Sequence, residues 1–108
     1  MKMLLEIDEE LYLQLGPNAR HILDQILPEF VGRFAVASLH YGDGNADNLG
    51  PAGQFADIWR KIGPLRRALW EGQDLTREEP EEICMDLIGH CLLTIGMLRR
   101  EVPNSGAK

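Results

Sequence analysis

The chain has 108 residues and a net charge of −6, with 44% hydrophobic and 26% charged residues. This is one domain's length with an ordinary globular composition. The surplus of acids argues against a polynucleotide partner, whose phosphates need Lys and Arg in excess on the contacting face.

In chain order, residues 1–108 read as a single all-α domain, a small bundle of three to four helices completed by oligomerisation. Residues 1–17 form a lead-in. Met1 to Asp8 is too short in apolar residues and too acidic for a signal peptide, and no apolar run nears the ~20 residues of a membrane helix. A cytoplasmic protein without a membrane partner is expected. Asp8 to Leu15 allows one or two helical turns, closed by Gly16-Pro17.

A first helix runs from about Asn18 to Leu39, with Ile22, Leu23, Ile26, Leu27, Phe30, Val31, Phe34 and Val36 at mostly helical spacing. Pro28 should kink or split it near Leu27. His40 to Gly50 is rich in Gly, Asn and Asp and reads as a loop. Asp43, Asn45 and Asp47 resemble the opening of a calcium loop, but Asn48 and Gln54 stand where its glycine and bidentate glutamate belong, so calcium is rejected.

The second helix spans about Pro51 to Trp70 on Phe55, Ile58, Trp59, Ile62, Leu65 and Leu69, with a bend expected at Gly63-Pro64. Trp59 and Trp70, in that stripe and at its end, read as core. The third helix has a capping-box signal in Thr76 and Glu79, with Pro80 in the tolerant first turn. From Ile83 to Leu98 it is apolar on nearly every face, which points to a subunit interface in so small a domain. Cys84 and Cys91 lie on it ~10 Å apart, too far for a disulfide, and read as small buried thiols. Residues 103–108 are a frayed tail.

Charge is clustered. Arg60, Lys61, Arg66 and Arg67 fall close together, and Glu78, Glu79, Glu81, Glu82 and Asp86 form an acidic run. Acids beside bases suit a magnesium-phosphate site, with carboxylates on the hard cation and cations on the remaining phosphate charge. The same residues suit a simpler arrangement: an Asp57–Lys61 pair at i,i+4, and acids complementing a helix dipole. Glu82, Asp86 and His90 share one face of the third helix. Asp86 needs a partner in that apolar region, either a metal or Lys61 or an arginine of the second helix. His90 reads as a hydrogen-bonded interface histidine, and the second histidine that a zinc site would need is missing from this helix.

Tyr41-Gly42-Asp43, the run Gly53 to Ile62 (GQFADIWRKI) and Glu82 to Leu93 (EICMDLIGHCLL) resemble phage-type nucleotide-modification-associated helical proteins. More distantly they resemble the MazG-type all-α nucleoside triphosphate pyrophosphohydrolases. The resemblance runs from about His40 to Leu98. It implies magnesium-assisted cleavage of a nucleoside triphosphate to monophosphate and pyrophosphate, by a dimer or tetramer. Asp86 matches the aspartate ending that family's second acidic pair. Its partner position holds Ile83, with Glu82 one residue earlier as a substitute. The first pair falls on Gln54 and Asp57, so its first acid is replaced by an amide. Asp57, Glu82 and Asp86 are then the expected catalytic and magnesium-binding residues, and Arg60, Lys61, Arg66 and Arg67 the phosphate-binding ones.

The alternatives are a non-catalytic module binding a nucleotide or nucleotide-derived signal, and a structural helical oligomer. All three fit the acidic average. The first two add a small phosphorylated ligand, most naturally a nucleotide, and the third helix implies a homo-oligomer.

Overall fold

The computed structural model describes residues 6–42 and 49–107, with side chains through residue 100. The protein is all-α, and the described residues contain no strand. Its elements are α1 (Glu9–Leu13), α2 (Pro17–His21), a π-helical turn (Ile22–Ile26), α3 (Leu27–Tyr41), α4 (Gly50–Leu69) and α5 (Pro80–Ala107). Among the described residues no helix is long and apolar enough to cross a membrane. The chain divides into two compact units, Met1–Val36 and Ala37–Lys108, with the division inside α3.

In the first unit, Asp8 caps α1 by accepting a hydrogen bond from the Glu10 N–H at 2.8 Å. Gly16 is extended and Pro17 opens α2, where a missing N–H costs nothing. A polar clasp joins these short elements. The Tyr12 hydroxyl donates to Asp24 at 2.6 Å, and Arg20 donates to the Leu13 carbonyl at 2.6 Å with its guanidinium 5.1 Å from the Tyr12 ring centre. The bond to Asp24 raises the Tyr12 hydroxyl pKa, with burial and the Asp24 charge adding to the effect and Arg20 opposing it. Pro28 acts where the sequence places it. It has no N–H to give, and the helix just before it widens so that the Leu27 N–H bonds to the Ile22 carbonyl. Phe30 is buried against Phe34, with ring centres 5.7 Å apart.

In the second unit, α4 packs on α5. Gly50 has φ +64° at the start of α4, a conformation that favours glycine. A Cβ added at Gly53 would collide with the Leu49 Cβ. Gly53→Ala, normally stabilising within a helix by about 1 kcal/mol, is therefore expected to lower the melting temperature in a thermal scan. α4 runs unbroken through Gly63 and Pro64 to Leu69. Beyond it, Gly72 takes φ +69° while the Gln73 N–H bonds back to the Arg67 carbonyl.

α5 begins at Pro80, so the capping box at Thr76 is not used. Glu79 is the flanking residue, and its carbonyl accepts the Ile83 N–H. The reason lies in Pro80: it suits a first helical position, and it disfavours helical backbone at the residue before it. α5 extends through Pro103 to Ala107. Ile83, Met85 and Met97 are its buried apolar side chains among the described residues, whereas Ile88, Leu92, Ile95 and Leu98 are exposed.

Candidate functional site

Helical spacing puts Gln54 and Lys61 two turns apart on one face of α4, and Asp86 and His90 one turn apart on one face of α5. The helix pair brings these faces together. Lys61 Nζ lies 3.0 Å from Asp86 and 3.4 Å from Glu78. Gln54, only 5% exposed, has its Oε1 2.8 Å from His90 Nδ1, which acts as the donor. Thr94 donates its hydroxyl to the His90 carbonyl at 2.7 Å. Burial lowers the Lys61 pKa, but the hydrogen bond and charge of Asp86, joined by Glu78, outweigh it and leave the ammonium above the ordinary lysine value.

Asp86 pairs with Lys61, but its side chain is 44% exposed, so it is the largely covered Lys61 and not Asp86 whose burial calls for a partner. The i,i+4 pair expected between Asp57 and Lys61 does not form. Lys61 turns to α5, and Asp57 instead meets Arg60 at 3.1 Å, one turn on the exposed side. His90 is hydrogen-bonded as expected. Gln54 and Glu78 also join this seam: the sequence places Gln54 where an acid is replaced by an amide and Glu78 in the acidic run, but does not foresee their partners His90 and Lys61. The signal that could have placed Gln54 in the seam is its seven-residue spacing from Lys61, which repeats the same helical face.

Glu82 is exposed in the first turn of α5 and makes no ion pair among the described residues. Asp57, Glu82 and Asp86 do not converge: the described residues contain no group of three or more His, Cys, Asp or Glu able to hold a metal ion. Asp57 and Asp86 are each engaged by a cationic side chain, Arg60 and Lys61 respectively.

The other side of α4 is different. Trp59, Arg60, Ile62, Gly63, Pro64, Arg66 and Arg67 line an open depression of about 490 Å³. Gly63 forms a notch there, with Trp59 one turn before it and Arg67 one turn after. Trp59 is 69% exposed and stacks on exposed Phe55, ring centres 6.4 Å apart and 27° from parallel. Trp70 is exposed as well. The core assignment of both tryptophans is therefore corrected: α4 has α5 to cover one side and leaves the stripe's other members to solvent. Cys91 is likewise exposed rather than buried, and Cys84 is half-buried; both are free thiols. Arg66 and Arg67 have no carboxylate partner among the described residues.

Compared with known family models, curated proteins and solved structures, the chain matches none.

Proposed function

We propose that this chain is a helical module that binds a small phosphorylated ligand, most naturally a nucleotide, on the outer side of α4. The observation that carries this reading is the exposed Trp59 beside Arg60, Arg66 and Arg67 around the Gly63 notch. Guanidinium groups engage phosphate oxygens in bidentate fashion. An exposed indole offers a stacking face worth about 1–3 kcal/mol per base. With acids elsewhere in excess, the basic patch suits one compact anion better than a polymer. Lys61 supports the helix pair, and the three arginines carry the phosphate contacts.

The test is titration of the full chain with nucleoside mono-, di- and triphosphates, read by calorimetry and thermal shift. Affinity is expected to rise with phosphate number and to fall with added salt. Arg66→Ala and Arg67→Ala each weaken it about tenfold, in line with a lost charge-assisted hydrogen bond. No binding across the panel would refute the reading.

A second reading, hydrolysis of a nucleoside triphosphate to monophosphate and pyrophosphate, is favoured by Glu82 and Asp86 at i,i+4 on α5, with Lys61 on Asp86. Pyrophosphate release that requires magnesium and is lost in Glu82→Gln would establish it. Glu82 is exposed and takes no part in the contacts between the helices, so this variant leaves the helix pair intact. Binding without release leaves the module non-catalytic.

A further inference from the structure

The side of α5 turned away from α4 carries a pattern the ligand reading does not use. At 100° per residue, Glu81, Cys84, Ile88, Leu92, Ile95 and Arg99 fall on one stripe. It lies opposite the face that presents Asp86 and His90 to α4 and that also carries the buried Ile83 and Met97, while the buried Met85 borders it beside Leu92. Leu92 is 45% exposed, and Ile88 and Ile95 are similarly open. An aliphatic row of this kind on a helix already packed on its other side remains in water unless something covers it.

The ends of the row say what fits. Glu81 and Arg99 are both exposed, and neither makes an ion pair among the described residues. Two pairs in the stripe are balanced about residue 90: Ile88 and Leu92 lie equally far to either side, and so do Glu81 and Arg99. A second α5 laid antiparallel about a two-fold axis at that point sets Ile88 against the partner's Leu92. It also sets Glu81 against the partner's Arg99, at both ends at once. A parallel copy sets glutamate on glutamate and arginine on arginine. We propose that α5 pairs antiparallel with α5 of a second copy of this chain, the aliphatic row forming the contact and two Glu81–Arg99 ion pairs setting its direction.

The experiment is sedimentation velocity on the full chain across a concentration series. A monomer–dimer equilibrium is expected, shifted to monomer by Leu92→Glu, with circular dichroism checking that the chain stays folded. Glu81→Arg and Arg99→Glu each raise the dimer dissociation constant about tenfold, as like charges replace opposite ones. The double variant, with the charges exchanged, restores the original constant. A monomer at every concentration overturns the proposal, as does a dimer indifferent to Leu92→Glu. A dimer that the single reversals leave unchanged, or that the double variant fails to restore, overturns the antiparallel arrangement. If Leu92→Glu unfolds the chain, the charge exchange alone decides.

Discussion

Ile83→Ala is expected to destabilise the chain by about 3 kcal/mol, measured by urea denaturation. Ile83 is 2% exposed and is the largest fully buried side chain among the described residues. Its removal takes away the transfer free energy of three carbons and leaves a void the surrounding helices can only partly close. Domains of this size hold a margin of only about 5–15 kcal/mol. With Met85 and Met97 the other buried apolar side chains described in α5, little remains to compensate. Ile83→Val should cost about 1 kcal/mol, and Leu39→Ala, at a side chain in open solvent, no more than about 0.5 kcal/mol. If Ile83→Ala proved as mild as Leu39→Ala, α5 would not be the core helix of this unit.

The second large effect concerns Lys61, whose side chain is only 14% exposed while its two carboxylate partners are more than 40% exposed. That difference makes the two deletions unequal. Asp86→Ala leaves a largely covered ammonium with the longer contact to Glu78 alone, and is expected to cost about 1–2 kcal/mol. Lys61→Met keeps the apolar stem in place and releases two carboxylates that water can reach, so it should cost less than about 1 kcal/mol.

The pH dependence has a definite sign. Because the folded Lys61 pKa lies above its unfolded value, the stability it adds is fully present below the ordinary 10.5 and is lost as pH rises through the folded value. Tyr12, also raised, acts in the same direction from its ordinary 10.0 upward. Alkaline denaturation should therefore be steeper in the parent chain than in Asp86→Ala. Equal steepness would remove Asp86 as the cause.

Much of this structure is legible in the spacing of residues. The apolar repeat from Phe55 to Leu69 locates α4, and Pro51 and Gly50 mark its beginning. Pro28 marks the place where the first long helical segment departs from regular α geometry. What spacing does not reveal is how many neighbours exist to cover a stripe. Trp59 and Leu69 keep the helical repeat yet face solvent, because one packed neighbour shields one side. The start of α5 escapes the sequence pattern because Thr76 and Glu79 match a capping box, while the backbone restriction before Pro80 outweighs it.

In the site, the residue types are legible and the partners only in part. Asp86 on the third helix invites a cation, but finding Lys61 beside it requires the two helices to be set side by side. Asp57 could reach either Arg60 or Lys61 from its own helix, and only the pull of Asp86 and Glu78 on Lys61 decides between them.

The two cross-helix contacts, Gln54 with His90 and Lys61 with Asp86, also bear on the connection between α4 and α5. Sliding α5 along α4 by one turn would separate both contacts together, so these side chains hold the register of the hairpin. The connecting segment is a tether and not a ruler. Extra residues inserted between exposed Thr76 and Arg77 would add only a loop entropy that grows with the logarithm of length, leaving both contacts aligned. Insertions and deletions should accumulate there, while the spacing within each helix cannot change by even one residue without moving a partner to the wrong face.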